Sequence, residues 1–285
     1  MSAQTEQHVI DSQRRDWNRV AGGWEKWDPF FERQMPFLNH RLVGDARVCP
    51  GQRVLDLGSG TGYPALLAAQ IVGVDGQVTG MDLAEEMLAV AEKKALHLGL
   101  SNVRFRTGDV SALPFGDRSF DAVISRFCLM FLPDVPRAAT EIARVLKPGG
   151  WLATAVWAAP EKNPSISGSM AAIKQVVDLP QPEPNAPGIF RLAKAGDLAG
   201  MLARAGFVDL TDEEFPAEWS YASPEEYYLS LMELAAPIQN LMATLSPAQV
   251  GEVKRRLLEA GATAMRDGRV VFPITIRIVA ARKPG

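Results

Sequence analysis

The chain has 285 residues, of which 47% are hydrophobic and 22% charged, with a formal net charge of −3. That balance supports a sizeable buried core and excludes the basic face that nucleic-acid binding needs. Two isolated cysteines, a polar N-terminus of mixed charge and the lack of any apolar run of membrane-spanning length exclude a disulfide framework, a secretory leader and a membrane span. The expectation is a cytoplasmic protein acting on a small molecule, with Cys49 and Cys128 reduced and buried as small apolar residues.

Residues up to about Gly44 read as helical and aromatic-rich, with Trp17, Trp24, Trp27, Phe30, Phe31 and Phe37 crowded together. A strand–helix alternation follows. "QRVLDLG" is a first strand, and the helix after it starts near Thr61. "GQVTGMDL" is a second strand, and Ala84 to Leu98 an amphipathic helix with Met87, Leu88, Ala91, Ala95 and Leu98 on one face. "NVRFRTGD" and "FDAVISRF" are the third and fourth strands. Asp134 caps the next helix, "KPGG" stops it, and "WLATAVW" is the fifth strand. The proline- and serine-rich stretch from Glu161 to Gly188 reads as a loop. A helix over Lys194–Ala205 and a sixth strand, "FVDLTDEEF", come next. Ser223 with Glu226 and Ser246 with Gln249 are capping-box patterns that each open a helix before the last strand, "VVFPITIRIVAARK".

The pattern predicts an α/β fold. A doubly wound, seven-stranded, mostly parallel sheet with its last strand antiparallel carries an N-terminal helical cap and a helical lid insertion. The divisions are 1–50 for the cap, 51–215 with 269–285 for the Rossmann-like domain, and 216–268 for the lid.

The chemistry is carried by "VLDLGSGTG", residues 54–62. A strand delivers Asp56, and Gly58, Gly60 and Gly62 turn the chain into a helix, at the place where open α/β sheets bind ligands. Asp82, twenty residues on, ends the second strand, where a carboxylate can accept from ribose hydroxyls. Gly60, Gly62 and Ala65 also fit a dinucleotide pattern. Asp56 under the loop is awkward for an anionic pyrophosphate and suits an ammonium group. Asp109, at the end of the third strand, can accept from an adenine amino group.

Together with "FDAVISRFCLMFLPD" and "EIARVLKPGGWLATAVW", these motifs resemble class I S-adenosylmethionine-dependent methyltransferases over about Gly51–Val156, in particular small-molecule enzymes similar to the ubiquinone/menaquinone C-methyltransferases. The resemblance implies S-adenosyl-L-methionine as cofactor. Asp56, Gly58, Ser59, Gly60 and Gly62 would serve its methionine part, and Asp82 its ribose. Leu83, Met87, Asp109 and Val110 would serve the adenine. Ser125 and Arg126 would lie beside the methionine and the acceptor entrance. Trp24 stands where the family often has a tyrosine, in a helix that closes over the cofactor; an aromatic face suits a sulfonium.

No triad or metal-ligand cluster is visible, and many relatives' histidine after the fourth strand is replaced by apolar Phe127 to Phe131. Arg126 and His40 are the catalytic candidates, although Arg126 could equally pair with a surface acid. Arg126, Met130, Trp157, Trp219, Tyr227 and Met232 are the acceptor-binding candidates, and the last three could instead be lid core. The expected partner is a small, hydrophobic acceptor, methylated at carbon, oxygen or nitrogen by in-line transfer. A homo-oligomer stays open. The alternatives are a nicotinamide-dependent oxidoreductase and a non-catalytic nucleoside-binding protein.

Overall fold

The computed structural model describes residues 3–179, 183 and 185–285. Three helices open the chain: α1 (Ala3–Lys26), α2 (Asp28–Gln34) and α3 (Pro36–Asp45). The sheet then alternates with helices through β1 (Arg53–Leu57), α4 (Ala65–Val72), β2 (Gln77–Asp82), α5 (Glu85–His97), β3 (Val103–Thr107), β4 (Phe120–Arg126), α6 (Val135–Val145) and β5 (Leu146–Trp157). Beyond them lie α7 (Pro164–Lys174), α8 (Asp197–Arg204), β6 (Val208–Tyr221), α9 (Pro224–Leu234), α10 (Ala236–Met242), α11 (Pro247–Thr263), β7 (Met265–Arg266) and β8 (Arg269–Arg282).

Among the described residues the sheet has eight strands. Its seven-strand path is β3-β2-β1-β4-β5-β8-β6, and the two-residue β7 pairs with β8 alongside it. The strands from β3 to β5 are parallel, and β8 is antiparallel to both β5 and β6. The central strands are buried on both faces, as their unbroken apolar runs require; β1 exposes only Arg53. The strand order, running outward to β3 on one side and to β5 on the other, reverses between the parallel β1 and β4, so their carboxyl ends flank the crevice of the sheet.

Three differences from the sequence reading have physical causes. Glu161–Gly188 is not all loop, because α7 lies within it. Its serines and glycine are weak helix formers, but Ser167 and Ser169 hydroxyls bond back to the Asn163 and Ile166 carbonyls, and Ile173 is buried against the inserted helices. The "LPQPEPNAPG" part of that reading falls partly outside the described residues. The sixth strand continues past Phe215 to Tyr221, so strand occupies the start of the 216–268 division. It runs through Pro216 because β6 is the sheet edge, where a missing N–H is tolerated. Cys49 is exposed, whereas Cys128 is half-buried.

The helix starts follow the caps. Asp134 accepts the Arg137 N–H at 2.9 Å, and Ser246 and Gln249 form a full capping box. Ser223 accepts the Glu226 N–H, but the Glu226 carboxylate takes the N–H of Ala222 rather than that of Ser223. The helices α7, α9, α10 and α11 share a small core of Ile173, Ile238, Val253 and Leu257, separate from the sheet's. These four helices come from two stretches of chain, 164–174 and 224–263.

Candidate active site

The loop after β1 is fixed from both sides. Gly58 and Ser59 donate their N–H groups to the Met81 carbonyl on β2 at 2.8 and 3.0 Å. Gly58 sits at φ +68°, and a Cβ there would stand 2.3 Å from Cys128 Cβ. Asp56 is fully buried. One of its oxygens accepts the Ser59 hydroxyl at 2.8 Å and the Ala65 N–H at 3.2 Å, so it caps the start of α4. Its other oxygen, Oδ1, is buried and has no partner. Burial pushes the Asp56 carboxyl up to about 7, against the pull of Ser59, Arg126 and Ala65.

Asp82 holds the same loop. Its Oδ2 accepts the Gly60 N–H at 2.9 Å and its Oδ1 the Ala84 N–H at 2.9 Å. Each oxygen keeps a second lone pair. Burial raises its pKa as well, opposed by those backbone N–H groups. Asp109 closes its own turn, accepting the N–H and the hydroxyl of Ser111 at 2.8 and 2.6 Å. The three acids converge: after burial, the fields of Asp82, Asp56 and Asp109 push the Cys128 thiol upward.

Helix α1 lies across this mouth. Arg14 Nε donates to the Leu83 carbonyl at 3.3 Å, Asn18 accepts the Glu86 N–H at 3.0 Å, and Gln13 donates to the Phe131 carbonyl at 2.8 Å. Trp24 and Trp17 pack on Ala84 and Met87, and Trp24 stacks on Phe31 at 4.8 Å.

Residues 55–154 match the family described as methyltransferase domain. An arsenite methyltransferase of Halobacterium salinarum is 39% identical over 142 residues, covering 47% of this chain and 36% of that protein. A demethylmenaquinone methyltransferase of Listeria monocytogenes is 37% identical over 143 residues, covering 47% of this chain and 60% of that protein. The chain thus spans only about a third to three fifths of these relatives' lengths. The solved structure of Haemonchus contortus phosphoethanolamine N-methyltransferase 2 with S-adenosyl-L-methionine shares the fold at TM-score 0.60 and 22% identity, covering 97% of this chain and 60% of that one. The likeness to methyltransferases is carried by residues 55–154.

Two features of this stretch fit S-adenosylmethionine as a ligand. The unpartnered Asp56 Oδ1 suits an ammonium donor, since a buried oxygen left unpaired costs about 1–3 kcal/mol. Gly60, at φ +52°, has no atom within 4 Å of where a Cβ would stand, which leaves its backbone open to a ligand.

Beside the loop the wall is aromatic. Phe127 follows β4 at φ +55° and stacks face to face on Trp157 at 4.5 Å. Trp157 meets Trp219 edge-on at 5.2 Å, and Trp219 meets Phe30 at 6.2 Å. Trp219 Nε1 is buried without a partner. Arg126 donates to Asn39 Oδ1 at 3.0 Å, not to a surface acid, and lies 5.3 Å over the Tyr63 ring. Burial lowers its pKa to about 10, and the field of Asp56 opposes that.

Other candidates lie elsewhere. Ser125 is fully buried and donates to the Leu57 carbonyl at 2.9 Å, so its hydroxyl belongs to the sheet. His40 is exposed on α3 and donates to the Pro36 carbonyl at 2.9 Å. Tyr227 is buried, its hydroxyl donating to the Ser165 carbonyl at 2.8 Å, and Met232 packs in the lid's own core. Met130 is fully buried in the main core, whereas Leu83, half-buried, and Val110, buried, directly follow Asp82 and Asp109 at the loop.

The sequence reading missed Tyr63, Asn39 and Lys94. Tyr63 donates to Glu32 at 2.6 Å, with Lys94 Nζ 3.6 Å from its ring centre and paired to Asp28 at 2.8 Å. Tyr63 could have been suspected from its place after Gly62. Asn39 and Lys94 sit on ordinary helix faces that carry no signal.

Proposed function

We propose that this protein transfers a methyl group from S-adenosylmethionine to a small, apolar organic acceptor. One observation carries the reading. Cys128 packs on Gly58 of the acid-lined loop, and its neighbour Phe127 begins the Phe127–Trp157–Trp219 wall. In this reading the acid-lined loop cradles the cofactor and the aromatic side chains next to it face the acceptor.

In this reading Asp56, Gly58, Ser59, Gly60 and Gly62 hold the amino-acid end of the cofactor and Asp82 the ribose hydroxyls. Leu83 and Met87 lie against the adenine, Asp109 and Val110 read its edge, and Trp24 covers it. When bound, the cofactor supplies a methyl group that is already electrophilic. What remains for the protein is alignment, which can contribute up to about 7–11 kcal/mol. The side chains offer little base chemistry. Cys128 is held protonated by burial, Tyr63 donates to Glu32 with its pKa raised chiefly by burial, and His40 is in solvent. An acceptor that is nucleophilic without a protein base fits such a site, with Arg126 as a cation for an oxygen it carries.

The arsenite relative suggests a second acceptor class, and the thiols argue against it. Trivalent arsenic is soft and favours grouped thiolates. Cys49 precedes β1 and Cys128 follows β4, and those strands are parallel, so the two thiols sit at opposite ends of the sheet. A nicotinamide oxidoreductase is disfavoured by the buried Asp56 carboxylate beneath the loop.

Calorimetry with S-adenosylhomocysteine, followed by incubation with S-adenosylmethionine and a panel of quinols, phenols and arsenite, tests the reading. Binding, with product S-adenosylhomocysteine forming on an apolar acceptor and not on arsenite, is expected. An absence of binding sinks the cofactor; binding without turnover on any acceptor leaves a nucleoside-binding protein.

A further inference from the structure

Glu233, in the last turn of α9, lies where the inserted helices meet the N-terminal helix. Its carboxylate accepts the Trp27 Nε1–H at 2.6 Å and pairs with Lys26 Nζ at 2.6 Å. The next residue, Leu234, accepts the Trp24 Nε1–H on its carbonyl at 3.3 Å. On the facing side of α1 stands Gly23, where a Cβ would fall 2.1 Å from the Glu233 carbonyl oxygen. The two helices therefore touch backbone to backbone, and only glycine permits it. Further along, Asn240 of α10 donates to Asp16 at 3.1 Å.

The opposite side of α1 rests on the segment that follows Asp82. Arg14 and Asn18 bond to the backbone of Leu83 and Glu86, and Trp24, Trp17 and Ala21 pack on Ala84 and Met87. The helix is thus held between the lid and the loop assigned above to the nucleoside.

We propose that Glu233 is a positioning residue for methyl transfer. By tethering Trp27 and Lys26 to α9, it sets how firmly α1, and Trp24 with it, closes over the nucleoside end of the site. The proposal rests on the cofactor reading given above. It makes the cap and the lid one moving body, so an acceptor that settles the inserted helices also tightens the hold on the cofactor. By linkage, the cofactor strengthens acceptor binding by the same factor.

The test is calorimetry of S-adenosylhomocysteine on the whole chain, with thermal unfolding alongside, for wild type, Glu233→Ala, Glu233→Gln and Gly23→Ala. Glu233→Ala and Gly23→Ala are each expected to weaken binding roughly tenfold, within the usual range of a coupling between sites. Glu233→Gln keeps an acceptor for Trp27 and should recover most of the affinity. The melting temperature should stay near wild type in the Glu233 variants, with kcat changed less than KM. If Glu233→Ala fails to fold, Lys26→Met and Gly23→Ala carry the same comparison. Unchanged affinity in Glu233→Ala and Gly23→Ala overturns the proposal. So does a parallel fall of affinity and melting temperature that Glu233→Gln does not rescue, which is the mark of a purely structural contact. Wild-type protein that does not bind S-adenosylhomocysteine brings down the cofactor reading, and the positioning role with it.

Discussion

Gly58 and Gly60 are two residues apart, share a left-handed backbone and have different reasons to be glycine. At Gly58 the obstacle is internal, since a methyl group would run into Cys128. At Gly60 the space is open. Gly58→Ala is expected to cost about 2–5 kcal/mol, the sum of overpacking and positive-φ strain. Gly60→Ala should cost only about 1–2 kcal/mol from strain, yet weaken S-adenosylhomocysteine binding if the open space beside Gly60 is where the proposed cofactor lies. Urea denaturation and calorimetry on the two variants check this, and equal stabilities would show that the Cys128 contact is yielding. Asp56 makes a pH-dependent contribution. Its carboxyl is pushed up to about 7 from the ordinary 3.8. The folded state then binds that proton more tightly than the unfolded chain, so stability falls as pH rises from about 4 to about 7 and is level above. The loss is bounded by about 4 kcal/mol at 1.36 kcal/mol per pKa unit. Asp56→Asn should flatten that slope. The same slope in both proteins across this window would mean that Asp56 is already ionised when folded.

At the scale of elements, the inserted helices stand on their own core. Ile173 of α7 and Ile238, Val253 and Leu257 of α10 and α11 pack together, apart from the sheet. Leu257→Ala removes a fully buried side chain and should cost about 2–5 kcal/mol locally. The expected signature is faster amide exchange in α7, α9 and α11 while β1, β4 and β5 stay protected. A uniform loss of protection would show lid and sheet unfolding as one unit. The same elements explain how far the sequence could be read. Asp134 and Ser246 announced their helices because a cap is a local hydrogen bond between residues three apart. The helix α7 gave no such notice. Its composition is that of a loop, and it is helical because Ile173 has a core to enter. Likewise β6 runs past Phe215 through Pro216 to Tyr221, which only its place at the sheet edge allows.

For the whole molecule, the strand–glycine–helix rhythm was legible because each crossover repeats one local pattern, an apolar run, a turn and an amphipathic helix. Asp56, Gly58, Gly60 and Asp82 were legible for the same reason, since each lies where a strand ends. No helix among the described residues is long and apolar enough to cross a membrane. What the sequence by itself determined is the strand–helix order from β1 to β5 and the loop at the end of β1, because strand propensity, glycine conformations and caps act within a few residues. Only the tertiary structure decided which aromatic side chains form the Phe127–Trp157–Trp219 wall and that Ser125 turns into the sheet. It alone packed α7 against the helices inserted before β8 and joined Glu233 to Trp27 across 206 residues. These are contacts between distant stretches of chain. They depend on which surfaces remain to be buried once the sheet has closed, and no local spacing encodes that.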